Sequence, residues 1–164
     1  MDLKALNEVA RALVAPGKGI LAADESSGTI KKRFDSIGCD STEDRRRAYR
    51  EMLFTADGAG DYVSGVILFD ETIRQAASDG RQLPKILEEN GIIPGIKVDK
   101  GTTPLAGAPN ELVTEGLDGL RERLVEYRGL GAMHLMRPRY GVIVHSSYCR
   151  PCASYATTLR RDSA

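Results

Sequence analysis

Three short stretches place ionisable or hydroxyl side chains where an apolar run stops. In Leu21-Ala22-Ala23-Asp24-Glu25-Ser26-Ser27-Gly28-Thr29 a carboxylate ends the run and hydroxyls follow it. If a helix starts there, its free N–H groups and dipole favour a phosphate. The same residues also serve as an ordinary N-cap. In Gly95-Ile96-Lys97-Val98-Asp99-Lys100-Gly101, a strand would put Lys97 and Asp99 on one face and Val98 on the other. A lysine inside a buried parallel strand is costly unless it meets an anion or is neutral. Lys97 therefore reads either as a phosphate-binding or catalytic amine, or as a lysine snorkelling from a strand end. Asp70-Glu71-Thr72 closes the remaining run. One further spacing resembles a metal site, His145-x-x-x-Cys149-Arg150-Pro151-Cys152. It supplies three zinc ligands where structural sites use four, so His134 or Cys39 would have to complete it. A redox pair and an incidental spacing are the other readings, and no metal or cofactor is expected.

The elements that must hold these residues follow from periodicity. Leu3, Leu6, Ala10, Leu13 and Val14 predict an amphipathic helix stopped by Pro16 and Gly17. Gly19–Ala23, Val63–Phe69 and Ile92–Val98 are apolar runs of strand length, buried on both faces. Ile30, Phe34 and Ile37 share a helical face, with Gly38 as C-cap. Ser41-Thr42-Glu43-Asp44 resembles a capping box opening a helix that turns Tyr49, Met52 and Leu53 inward. Thr72–Ala77 and Leu83–Glu89 predict helices, and Leu117, Leu120, Leu124 and Tyr127 mark another. Buried strands alternating with helices indicate parallel βα units. A flavodoxin-like sheet and part of a TIM barrel fit this pattern equally, and both carry chemistry at the C-terminal strand ends.

The 164 residues suffice for one domain, and 23 basic against 23 acidic side chains give no sign of a nucleic-acid or membrane-surface partner. The balance hides a break near Ala132: residues 133–164 hold five arginines, no lysine and one acid, for a net +4, against −4 for 1–132. No apolar run approaches the roughly 18 residues of a membrane span. The N-terminus lacks a signal-peptide pattern, and three cysteines without one point to a reducing cytoplasm.

At the level of motifs, Gly17-Lys18-Gly19-Ile20-Leu21-Ala22-Ala23-Asp24-Glu25-Ser26, Gly65-Val66-Ile67-Leu68-Phe69-Asp70-Glu71-Thr72 and the Gly95–Gly101 stretch resemble the first three barrel strands of class I (Schiff-base) fructose-bisphosphate aldolases. Thr55-Ala56-Asp57, Pro104-Leu105-Ala106-Gly107 and Gly116-Leu117-Asp118-Gly119-Leu120 match the same family in the same order, so the resemblance runs from about residue 3 to Ala132. It implies a (β/α)8 barrel, usually a cytoplasmic homotetramer. The family cleaves fructose 1,6-bisphosphate into two triose phosphates in glycolysis and catalyses the reverse condensation. It assigns Asp24 to the substrate hydroxyls beside the scissile bond, and Ser26 and Thr29 to the 6-phosphate. Lys97 becomes an active-site lysine near that phosphate, and Arg33 and Arg46 become sugar-bisphosphate arginines.

The same resemblance exposes a departure. The family carries a Lys-Trp-Arg segment on its fourth strand, an acid/base glutamate on the fifth and the Schiff-base lysine in a Leu-Leu-Lys-Pro motif on the sixth. Here no lysine follows Lys100, tryptophan is absent, and Met133-His134-Leu135-Met136-Arg137-Pro138-Arg139-Tyr140 stands in place of the continuation. Cleaving the carbon–carbon bond leaves a carbanion that an iminium stabilises and a neutral carbonyl does not. The expectation is thus an incomplete barrel: an N-terminal part over 1–132 and a divergent tail over 133–164. The tail reads as a frameshift or, through Tyr155–Ser163, as the echo of a later family helix. The chain is expected to be an inactive aldolase; the rival is a non-catalytic remnant that binds sugar phosphates or associates with full-length subunits. Three parallel strands are expected, with Tyr140–Val144 as a short fourth beside the third, and with Asp24, Ser26, Thr29 and Lys97 converging at the strand ends.

Overall fold

A computed structural model describes residues 3–107, 111–136 and 142–144. The three apolar runs form strands β1 (Gly19–Ala23), β2 (Val63–Leu68) and β3 (Ile93–Lys97), paired in parallel in that order. A hairpin of β4 (Thr102–Pro104) and β5 (Leu112–Thr114) forms a separate antiparallel pair after β3. The sheet then gains two strands: β6 (His134–Met136), parallel to β3, and β7 (Val142–Val144), antiparallel to β6. The first three βα units are therefore followed by more than an irregular tail. Val142–Val144 is a strand, but it lies beside β6 and not beside the third strand. The place next to β3 goes to His134–Met136, anchored where Met133 N–H donates to the Pro94 carbonyl at 2.8 Å. His145, Cys149, Cys152 and the segment 155–163 lie outside the described residues.

Seven helices flank the described sheet: α1 (Leu3–Leu13), α2 (Ser27–Asp35), α3 (Glu43–Phe54), α4 (Ala59–Tyr62), α5 (Asp70–Ile73), α6 (Leu83–Glu89) and α7 (Leu120–Gly129). Several sequence expectations shift. Ile30 and Phe34 are buried on α2, while Ile37 lies beyond its end and is exposed. The first residue of α3 is Glu43, so its cap is Thr42 and not Ser41; Thr42 Oγ1 accepts the Arg45 N–H at 3.3 Å. The third helical residue is then Arg45, which removes the acidic half of the expected box. The buried face of α3 is Arg50 and Phe54, and Met52 points to solvent. The helix expected over Thr72–Ala77 is the single turn α5, ended by the bridge between Ala76 and Gln82. Replacing Thr42 by alanine removes the cap acceptor, and chemical denaturation should show a loss of about 1 kcal/mol.

Strand alternation divides the sheet. Val66, Leu68, Ile96 and Leu135 face Phe54, Ile73, Leu83, Ile86, Leu87, Leu124 and Tyr127 in one apolar core. Gly65, Ile67, Gly95 and Lys97 alternate onto the other face. The end of α1 covers part of that face: Leu13 packs against Gly65, and the Ser64 hydroxyl donates to the Leu13 carbonyl at 2.7 Å.

Candidate functional site

The C-terminal ends of β1, β2 and β3 open into one cleft of about 930 Å³, lined by Asp24, Ser26, Thr29, Asp70, Lys97 and Tyr127 among others. Its centre is a charge triad. Lys97 Nζ lies 2.5 Å from Asp99 Oδ2 and 4.0 Å from Asp24 Oδ2. Against the snorkelling reading of Lys97, its side chain is only 17% exposed and its ammonium is turned to the Asp99 carboxylate. Burial pushes the Asp24 carboxyl above the usual range; Lys97 opposes this, while Glu25 and Asp99 add to it.

Beside the triad, Ser26 occupies the N-cap position of α2 in an extended conformation, yet its hydroxyl makes no capping bond. Its Oγ instead lies 3.1 Å from Thr29 Oγ1, and the cap contacts are made by the Ser26 carbonyl, which accepts from the Thr29 and Ile30 N–H groups at 2.9 Å. The ordinary capping reading thus leaves both hydroxyls unexplained.

The two arginines fare differently from the rest. Arg33 is paired with Glu25, which lines the cleft, and its own side chain is largely exposed. Arg46 is drawn elsewhere: its Nε and Nη2 donate to Glu71 at 2.8 and 2.6 Å, and Nη1 to the Ser41 carbonyl at 2.7 Å. The structure therefore brings Asp24, Ser26, Thr29 and Lys97 together and does not bring Arg46 into the cleft lining.

A second wall was not assigned from sequence. Asp70, the first residue of α5 just past β2, accepts the Tyr127 hydroxyl at 2.7 Å and Arg74 Nη2 at 3.0 Å. Burial alone would raise its carboxyl, but the hydrogen bonds from Arg74 and Tyr127 outweigh this and hold it below the usual range. Arg123 donates to the Val98 and Gly116 carbonyls at 3.1 and 2.6 Å, tying the chain after β3 to α7. Gly116 permits that closure: its φ is +122°, and a β-carbon would fall 2.8 Å from the Val98 carbonyl. The charged end of β2 was visible as Asp70-Glu71-Thr72, whereas Arg123 and Tyr127 read only as helix periodicity.

A largely parallel α/β sheet with a cleft at its C-terminal strand ends, lined by an amine and several carboxylates, defines an α/β protein with its cleft at the edge where such folds bind ligands. The chain belongs to the class-I fructose-bisphosphate aldolase family, whose sequence pattern matches residues 5–146. A probable class 1 fructose-bisphosphate aldolase of Xylella fastidiosa is 63% identical over 132 residues, 80% of this chain and 40% of the relative. A fructose-bisphosphate aldolase of Schistosoma mansoni is 55% identical over 127 residues, 77% of this chain and 35% of the relative. In structure the chain is similar to Plasmodium falciparum fructose-bisphosphate aldolase, solved in complex with TRAP and a small-molecule inhibitor. The TM-score is 0.79 at 48% identity, over 80% of this chain and 38% of that one. The chain spans about 40% of the length of the Xylella relative. Among the described residues no group of three His, Cys, Asp or Glu is placed to hold a metal ion, and no helix is long and apolar enough to cross a membrane.

Proposed function

We propose that the cleft is the sugar-phosphate-binding part of a class I aldolase site carried on an incomplete (β/α)8 barrel, and that these 164 residues bind fructose 1,6-bisphosphate without cleaving it. The observation that carries this is the convergence of Lys97 and Asp24 in one cleft with the hydroxyls of Ser26 and Thr29, which bond to each other. Lys97 supplies the cation for a phosphate, the two hydroxyls supply hydrogen bonds to it, and Asp24 faces the sugar hydroxyls. Arg33 reaches the rim through Glu25, and Arg46 would have to leave Glu71 to take part. The unit over 1–132 holds all of these groups, and 133–164 adds none of them. The reading carries a cytoplasmic, glycolytic setting, with the family's homotetramer as the full-length assembly.

Cleavage needs an amine that forms an iminium with the ketone and withdraws electrons from the breaking bond. No lysine follows Lys100 in this chain. The Lys97 amine is engaged by the Asp99 carboxylate at 2.5 Å, with Asp24 at 4.0 Å. Two measurements test the proposal. Calorimetry should detect fructose 1,6-bisphosphate binding, weakened about tenfold or more in Lys97→Ala, as for loss of a charged hydrogen bond. Borohydride reduction with dihydroxyacetone phosphate should leave the mass of the chain unchanged. No binding would remove the sugar-phosphate reading, and a trapped adduct, for which Lys97 and Lys100 are the nearest amines, would remove the non-catalytic one.

A further inference from the structure

We infer that Asp99 is a positioning residue that holds the Lys97 ammonium away from Asp24, leaving the Asp24 carboxyl as the group in the cleft free to meet a ligand hydroxyl. This deepens the proposed sugar-phosphate site and rests on it for the identity of the ligand. The geometry is one-sided. Asp99 Oδ2 sits 2.5 Å from Lys97 Nζ, whereas Asp24 Oδ2 is at 4.0 Å, outside hydrogen-bond reach. The Asp99 side chain is 3% exposed, and its second oxygen is also fixed, accepting the Gly101 N–H at 3.1 Å. Val98 between them is buried in the core, which fixes the Asp99 backbone beside Lys97.

The two carboxylates compete for one ammonium. The one that wins is the buried one, which has both oxygens satisfied. The one that loses lines the cleft, with burial and two neighbouring acids raising its proton affinity. The charged groups around Asp24 are Glu25 on its own segment, Lys97 at the end of β3, Asp99 just past it and Arg50 on α3. Asp70, Arg74, Lys100 and Arg123 line the same cleft. Were Asp99 a mere turn residue, asparagine would serve equally, because its carbonyl accepts the Gly101 N–H in the same way.

Asp99→Asn separates the two roles. Carboxyl-carbon NMR should show the proton affinity of Asp24 falling about tenfold in Asp99→Asn, as the Lys97 ammonium turns to it. Asp99→Glu keeps the charge and should leave the Asp24 titration close to that of the parent. An unchanged Asp24 titration in folded Asp99→Asn would overturn the inference. The unsubstituted chain gives an independent reading through the Lys97 nitrogen, whose hydrogen-bond correlation should lead to the Asp99 carboxyl carbon. A correlation to Asp24 would overturn the inference even if Asp99→Asn fails to fold. Absence of fructose 1,6-bisphosphate binding would sink the ligand assignment alone, since both NMR readings are made without ligand.

Discussion

Replacing Arg50 by alanine should destabilise the fold by about 3 kcal/mol, because it leaves the buried Glu25 carboxylate with only the largely exposed Arg33 as an ion-pair partner. Arg50 is 3% exposed and Glu25 10%, with Arg50 Nη2 2.8 Å from Glu25 Oε2 and 3.2 Å from the Glu25 carbonyl. The guanidinium also lies 5.4 Å from the centre of the Tyr49 ring. Burial lowers the Arg50 proton affinity and Glu25 opposes this, so each charge depends on the other. Arg33 also reaches Glu25 from a largely exposed position, which keeps the expected loss from being larger. Urea unfolding of Arg50→Ala, Glu25→Gln and the double variant measures the coupling. The double variant should lose less than the sum of the two singles. A loss under 1 kcal/mol in Arg50→Ala would show that the pair is not what fixes this loop. The consequence reaches the cleft, because Glu25 stands between Asp24 and Ser26.

The sequence made β1, β2 and β3 legible for a physical reason. A strand covered on both faces must be apolar throughout, and the polar residues that end it mark where the sheet meets the cleft. The same logic placed Asp24, Ser26, Thr29 and Lys97 together, since all four stand at or just beyond the C-terminal ends of β1 and β3, the two strands that flank β2. It failed where tertiary contacts decide. Arg46 is drawn off by Glu71, a residue on a different element, and nothing in the local sequence reports that pairing. Tyr127 read as a core residue of α7; it is one, but its hydroxyl emerges beside Asp70. The strands of the hairpin, Thr102–Pro104 and Leu112–Thr114, are too short and too exposed to carry a period-two pattern. Similarly, His134–Met136 is only three residues long and lies just past the compositional break at Ala132. Its identity as a strand comes from pairing with Gly95–Lys97 and not from its own residues.

That strand carries the second large expected effect. Stability should fall by about 3 kcal/mol as pH drops from neutrality to 4, through His134 alone. His134 is fully buried, and neither ring nitrogen has a hydrogen-bond partner. The ring lies against Gly95, where a β-carbon would fall 2.1 Å from Nε2, and it borders Gly65 beneath Leu13. Burial lowers its pKa to about 4 from 6.5, opposed only by the Pro94 carbonyl, with no charged side chain contributing. The folded state thus binds the proton more weakly than the unfolded chain does. The stability is fully present above the unfolded value near 6.5, and it is lost as pH falls through the folded value of about 4. Carboxyls held low, such as Glu51 by Ser78 and Glu126 by Arg74, act only below their ordinary 4.5. Asp24, held high, works in the opposite direction and is common to parent and variant. His134→Leu isolates the effect. At neutral pH it should be close to neutral, because it removes a buried imidazole whose ring nitrogens make no well-formed hydrogen bond. Between pH 6.5 and 4.5 its urea midpoint should fall less than that of the parent, the gap widening as pH drops. Parallel pH profiles for the two chains would show that His134 takes up its proton equally in the folded and the unfolded states.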